Sequence, residues 1–197
     1  MVMQGETFIF FGIIGSGKGT QVQLLAKYLE NKGGQCIYAG TGEGFRKILS
    51  SGNYTAKLIN ESMAKGELQP DFLANGMVAE ILTTSLTPEK HLLTDGYPRT
   101  LSQAKEFETM LRFFKRDKVK FVHIDLSKED ARARNLLRAR NDDTEEGIKK
   151  RFEEFDQNVV PTMEYFKNKP EYEWHTINGN QSIDEVHIAI LQALNKE

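Results

Sequence analysis

The run Gly12-Ile13-Ile14-Gly15-Ser16-Gly17-Lys18-Gly19-Thr20 has the residue types and spacing to wrap a phosphate chain. Glycines let backbone approach an anion closely, successive N–H groups can turn inward, and a following helix N-terminus adds partial positive charge. Gly15, Ser16, Gly17, Gly19 and Thr20 would form such a P-loop cradle, with Lys18 supplying a full charge to the β- and γ-phosphates. Gly19 follows Lys18 where Ser or Thr is usual, so Thr20 is the hydroxyl left for a second phosphate contact. A second group is Asp95-Gly96-Tyr97-Pro98-Arg99-Thr100. An acidic residue closing an apolar strand suits the Mg²⁺ shell in a phosphate-binding protein. Arg99 offers the forked donors that phosphate favours, and Tyr97-Pro98 suits a cis bond in a tight turn.

Those groups need elements to hold them. Apolar runs predict strands over 7–12, 35–39, 91–94, 119–126 and 172–177. Apolar residues at helical spacing predict helices over 18–32, 42–50, 54–65, 71–86, 101–116, 128–138, 144–168 and 182–195. Thr100, Ser127 and Ser182 are N-cap types, Thr87-Pro88 closes the fourth helix, and Pro161 should kink the seventh. Short buried strands alternating with helices imply a parallel sheet covered on both faces, with ligands beyond the carboxyl ends of its strands. Residues 41–69 break the alternation with two short helices, as a small subdomain able to fold over a second ligand would.

The 197 residues suffice for one domain, and 39% hydrophobic with 27% charged residues is ordinary for a soluble globular protein. A net charge of −2 argues against a partner read through broad basic surface, so no nucleic acid is expected. Cys36 is the sole cysteine, which excludes an internal disulfide and a multi-cysteine metal site. No signal-peptide pattern and no run of membrane-spanning length occurs, so no membrane association, a cytoplasmic location and a monomer are expected. His91, His123, His175 and His187 share no metal-ligand spacing, and Trp174 reads as structural.

The order and spacing of three motifs resemble the adenylate kinase family. They are Gly-x-x-Gly-x-Gly-Lys-Gly-Thr-Gln from Gly12, Thr-Gly-acid-x-x-Arg from Thr41, and Asp-Gly-aromatic-Pro-Arg-Thr-x-x-Gln-Ala from Asp95. The likeness continues through Asp142-Asp143 to Lys150-Arg151 and ends at Ile177-Asn178-Gly179, covering nearly the whole chain. It implies an α/β, P-loop NTPase-type three-layer α/β/α fold with a five-stranded parallel sheet and a small helical subdomain for the nucleoside monophosphate. The core would comprise 1–40, 70–138 and 143–197, the monophosphate subdomain 41–69, and 139–142 a vestigial lid. The implied reaction moves a phosphoryl group from MgATP to AMP, giving two ADP, so ATP, AMP and ADP are the implied partners.

On that resemblance Gly15, Ser16, Gly17, Lys18, Gly19 and Thr20 hold the ATP phosphates, Arg134 and Arg138 cover ATP, and Gln181 touches the ATP side through backbone. Thr41, Arg46, Glu67, Leu68 and Gln69 match the AMP side, as do Gly96, Tyr97, Pro98 and Arg99. Gln103 matches the glutamine on the adenine edge, and Arg140 and Arg151 match arginines bridging the two phosphate chains. Lys18, Asp95, Arg99, Arg138, Arg140 and Arg151 form the implied catalytic set. Mg²⁺ comes with ATP and is reached through water near Asp95 and Thr20, with no direct protein ligand.

Several positions depart from the family. Only Ala139 separates Arg138 from Arg140, so the lid is nearly deleted. Closure is then expected mainly through 41–69, with slower turnover or some ATP hydrolysis. Ile14 replaces the loop proline, Glu43 an aspartate and Gly44 a larger apolar residue, while Glu67 adds negative charge near a phosphate site. Arg132 has no family counterpart and reads as a solvated charge. Thr41, Thr100 and Gln103 favour AMP over pyrimidines. Two alternatives stay open: a kinase for another monophosphate (UMP, CMP or dAMP), and a catalytically weak adenylate-binding sensor.

Overall fold

Every residue of β1 (Thr7–Phe11) is buried, because this strand lies at the centre of a sheet covered on both faces. The computed structural model describes residues 4–138 and 143–195. Five strands pair in parallel in the order β2-β3-β1-β4-β5, with β2 at Cys36–Tyr38, β3 at His91–Asp95, β4 at Val119–Asp125 and β5 at Glu173–Asn178. Along the chain the helices are α1 (Lys18–Asn31), α2 (Thr41–Ser50), α3 (Tyr54–Ala64), α4 (Asp71–Ser85), α5 (Leu101–Phe113), α6 (Lys128–Arg138), α7 (Glu145–Glu154), α8 (Val160–Lys167) and α9 (Ile183–Leu194). This is the three-layer α/β arrangement that the alternation implies.

The period-2 alternation of β1 divides the core. Phe8 and Phe10 pack with Val22 and Leu25 of α1 and Val186 and Ile190 of α9. Ile9 and Phe11 face the other layer, with Val78 and Leu82 of α4, Phe107 of α5 and Phe166 of α8. Phe11 stacks on Phe121 at 5.9 Å between ring centroids, and Phe121 on Trp174 at 5.6 Å, so Trp174 is part of the packing. Phe45 of α2 and Ile59 of α3 join this second cluster, which fastens both short helices to the sheet.

The caps follow the sequence. Thr100 accepts from Gln103 N, and Ser182 with Glu185 forms a capping box at α9. The seventh predicted helix differs: α7 and α8 are joined by a π-helical turn, Phe155–Val159. Pro161 is the reason. It has no N–H, and its ring would collide with the carbonyl four residues back. The widened turn absorbs it, with Val160 N reaching back to Phe155 O and Thr162 Oγ1 donating to Asn158 O at 2.8 Å. Among the described residues, no helix is long and apolar enough to cross a membrane.

Two features aim the chemistry. The chain leaves β1 toward β2 on one side and leaves its neighbour β4 toward β5 on the other, which opens a crevice at the carboxyl ends of this pair. The register pairs Phe10 with Asp95, which brings that carboxylate to the point where β1 passes into the glycine loop. Residues 139–142, expected as the vestigial lid, and Arg140 among them, lie outside the described residues.

Candidate active site

The loop between β1 and α1 takes its shape from glycines with positive φ, 81° at Gly15 and 89° at Gly17. A Cβ on Gly15 would lie 2.6 Å from Asn135 Nδ2 and 2.8 Å from Ala131 O, so the loop rests directly on α6. Lys18 Nζ donates to Gly12 O at 2.7 Å and Ile13 O at 3.0 Å, folding the ammonium over its own loop. Burial pulls its pKa from the usual lysine value down to about 8; Asp95 resists the fall, and Arg99 and Arg138 add to it.

The opposite wall is built on β3 and the turn after it. A Cβ on Gly19 would stand 3.2 Å from Asp95 Oδ2, so the carboxylate sits against the loop just where Ser or Thr is ordinarily found. Tyr97-Pro98 is cis. Arg99 lies over Gly96, its Nε donating to Gly96 O at 2.8 Å. Its terminal amino groups make no hydrogen bond to any described residue. Burial lowers its pKa, Asp95 opposes that, and Arg151 adds to it. Gln103 is almost wholly buried: its Oε1 accepts from Arg99 N at 2.7 Å and its Nε2 donates to Asp71 Oδ1 at 2.8 Å. These two partners fix which end of the amide is which. Thr41 Oγ1 donates to Gly96 O at 2.9 Å, tying the start of α2 to the same turn. At Gly44 a Cβ would meet Met77 Sδ at 2.9 Å, so a thioether from α4 fills the space a larger residue there would take.

The third wall comes from α6 and α7. Arg134 Nη2 donates to Gly179 O at 2.9 Å, linking α6 to the turn after β5. Asp143, its side chain fully buried, accepts from Arg138 Nε at 2.9 Å and Nη2 at 2.8 Å and from Arg151 Nη2 at 3.0 Å. Arg132, expected as a solvated charge, pairs with Glu145 between the same two helices.

These walls enclose one cleft of about 640 Å³. Gly15, Gly17, Lys18, Gly19, Thr20, Arg134, Arg138 and Arg151 line it, with Thr41, Arg46, Glu67, Leu68 and Gln69 from the α2–α3 side. Asp95, Gly96, Pro98, Arg99 and Gln103 complete the lining. Among the described residues, three of those expected are not part of it. Ser16 is buried beneath the loop, with its Oγ 3.4 Å from Lys18 Nζ. Tyr97 turns into the core, its hydroxyl on Asn75 Oδ1 at 2.9 Å and its ring edge-on to Phe107. Gln181 is exposed on the β5–α9 turn. Among the described residues, no three His, Cys, Asp or Glu side chains are grouped to hold a metal.

The family model described as adenylate kinase matches residues 10–171, from the glycine loop to beyond Arg151. The chain belongs to the adenylate kinase family. It is therefore a phosphotransferase with a phosphate group as acceptor. Among similar curated proteins is an adenylate kinase of Prochlorococcus marinus, 35% identical over 87% of this chain and 90% of that protein. Adenylate kinase 1 of Nostoc sp. is 33% identical over 90% of this chain and 92% of that protein. The adenylate kinase of Rickettsia akari is 29% identical over 94% of this chain and 97% of its own length. Its alignment runs to 218 positions, more than the 197 residues present here, so that relative carries residues without a counterpart in this chain.

Sequence reasoning missed the residues that hold this adenylate kinase site from behind. Asp71 fixes Gln103, Asn75 holds Tyr97, and Asn135 touches both the loop and Arg138. Tyr38 was also missed; it lines the cleft, and burial pushes its phenol up to about 12, with Asp95 adding to the rise. No local pattern marks these positions. In α6 only Ala131 and Asn135 are buried, a pair too small to stand out in a helix that is otherwise mostly charged.

Proposed function

We propose that the protein moves the γ-phosphoryl group of MgATP onto the phosphate of AMP, reversibly, giving two ADP. The observation that carries this reading is one cleft lined by Lys18 and Thr20 on one side and by Arg46, Arg99 and Gln103 on the other. An AMP phosphate oxygen is already a nucleophile, so the reaction needs alignment and neutralised charge more than a general base. Gly15, Gly17, Lys18 and Thr20 take the ATP phosphates, with Ser16 supporting the loop from below. Arg134 covers ATP, and Gln181 reaches the ATP side through its backbone. Arg46 and Arg99 take the AMP phosphate, and Arg138, Arg140 and Arg151 span the transferring group. Mg²⁺ bound with ATP neutralises phosphate charge; the single carboxylate of Asp95 beside Gly19, with Thr20 nearby, fits an ion held mostly by phosphates and water.

The acceptor base is read by Gln103. Its two internal bonds leave one N–H and one oxygen lone pair, the pair of opposite groups that an adenine edge requires. Met77 beside Gly44 supports an apolar contact on the same side. Residues 41–69 act as the acceptor subdomain and the main closing part, the lid at 139–142 being vestigial. The protein works as a monomer in the cytoplasm, a reducing setting that suits Cys36, whose thiol burial pushes up to about 11.

Phosphate binding needs Lys18 charged, and its pKa in the unliganded protein is about 8. Expected, therefore, is a kcat/KM for ATP that falls as pH rises through about 8, while kcat at saturating nucleotide stays level because bound phosphate restores the ammonium. Initial rates across that range check it. The test of the reaction itself is ADP formation from MgATP with AMP, dAMP, CMP, UMP or GMP, beside a sample without acceptor. AMP is expected to be preferred, with slow ATP hydrolysis when it is absent. Turnover only with a pyrimidine would overturn the acceptor, and no turnover with any monophosphate would favour the sensor.

A further inference from the structure

Asn135 sits within α6 with no exposed surface, so each polar atom of its carboxamide needs a partner. Nδ2 donates to Ala131 O at 2.7 Å, and Oδ1 accepts from Arg138 Nη2 at 2.7 Å. The reverse setting would turn an N–H₂ toward a guanidinium and an oxygen toward a carbonyl, so only one orientation is chemically sound. The same amide lies under the phosphate loop, since a Cβ on Gly15 would come within 2.6 Å of Nδ2. On its other edge Arg138 is gripped by Asp143 through Nε and Nη2. Its Nη1 has no partner among the described residues, and the side chain lines the cleft.

We propose that Asn135 is a positioning residue for Arg138. It fixes the guanidinium at the place where α6 packs against the glycine loop in the unliganded protein, so that loop and arginine form one preset phosphate-binding unit. This rests on the assignment of Arg138 to the ATP phosphates. Asp143 holds one edge of the guanidinium through two bonds, and Asn135 adds a third at Nη2 from within α6, so the arginine is held from two sides before nucleotide arrives. Such an anchor has particular use where only Ala139 stands between Arg138 and Arg140, because little lid is left to press the arginine into place.

The test is a double-mutant cycle on the full chain, with MgATP and AMP, using Asn135→Leu and Asn135→Ala, each alone and combined with Arg138→Ala. The alanine variant cannot overpack Gly15 and serves where the leucine variant does not fold; thermal melts identify folded protein. Each Asn135 variant is expected to lose about tenfold in kcat, as for a hydrogen bond to a charged group, with KM for AMP little changed. In the Arg138→Ala background, no further loss is expected. Wild-type kcat in a folded Asn135 variant would overturn the proposal, as would the same loss with Arg138 absent. Full kcat in Arg138→Ala alone would instead overturn the assignment of Arg138 on which it rests.

Discussion

Lys18→Ala lowers the rate of ADP formation by about a thousandfold, the scale expected when a preorganised charge on the transferring group is removed. The fold survives. Among the described residues Lys18 bonds only to its own loop, at Gly12 O and Ile13 O and weakly at Ser16 Oγ, so no distant described element depends on it. The sign of its pKa shift goes further. A lysine lowered from 10.5 to about 8 is held in the folded protein against its preference for the charged form. At neutral pH the group therefore opposes folding, and its loss leaves the melting temperature unchanged or higher. Rate and melting curve together check this: a collapsed rate with an undiminished melting temperature is expected. A parallel fall in both would mean that the lysine serves the loop's structure.

Arg99→Ala is the second large effect, about a hundredfold or more in kcat, with weaker AMP binding. The guanidinium lies beside Asp95 over Gly96, and its terminal amino groups are not engaged by any described residue. The base contact should persist, because Gln103 Oε1 is held by the backbone N–H of residue 99, which the substitution keeps. Adenosine, which lacks the phosphate, is therefore expected to compete with AMP equally well in both proteins. Weakened adenosine binding would show that the whole turn had shifted. Arg99→Lys rescues little, since a point charge cannot reproduce the fork.

The fold was legible because each strand announces itself locally. Thr7 to Phe11 is a continuous apolar run, apart from its first residue, that ends in glycine, and Thr100 and Ser182 stand just where α5 and α9 begin. Pro161 marked a break in the long helix, but a kink and a π turn relieve it equally well on paper. Which one forms depends on how the neighbouring side chains pack, and Phe155 and Val159 of that turn line the cleft. The site was legible where contact runs through consecutive residues, as in the glycine loop and in Asp95 to Arg99. It was not legible where two distant residues make one device. Asp71 and Gln103 are 32 residues apart, and nothing around either reveals that one carboxylate will orient the other's amide. Gly44 read as a loss of apolar contact until Met77 was found in the vacated space. Tyr97 lay in the right motif, yet its side chain serves Asn75 and Phe107 while its neighbours Gly96 and Pro98 face the cleft.

The central claim is direct transfer between two nucleotides in that cleft. The most direct test supplies ATP labelled at the γ-phosphorus with unlabelled AMP and Mg²⁺, and separates the products at early times. The account predicts label in the β-phosphate of ADP, at a rate dependent on both nucleotides and lost in Lys18→Ala. Label released only as inorganic phosphate, at a rate indifferent to AMP, would contradict it.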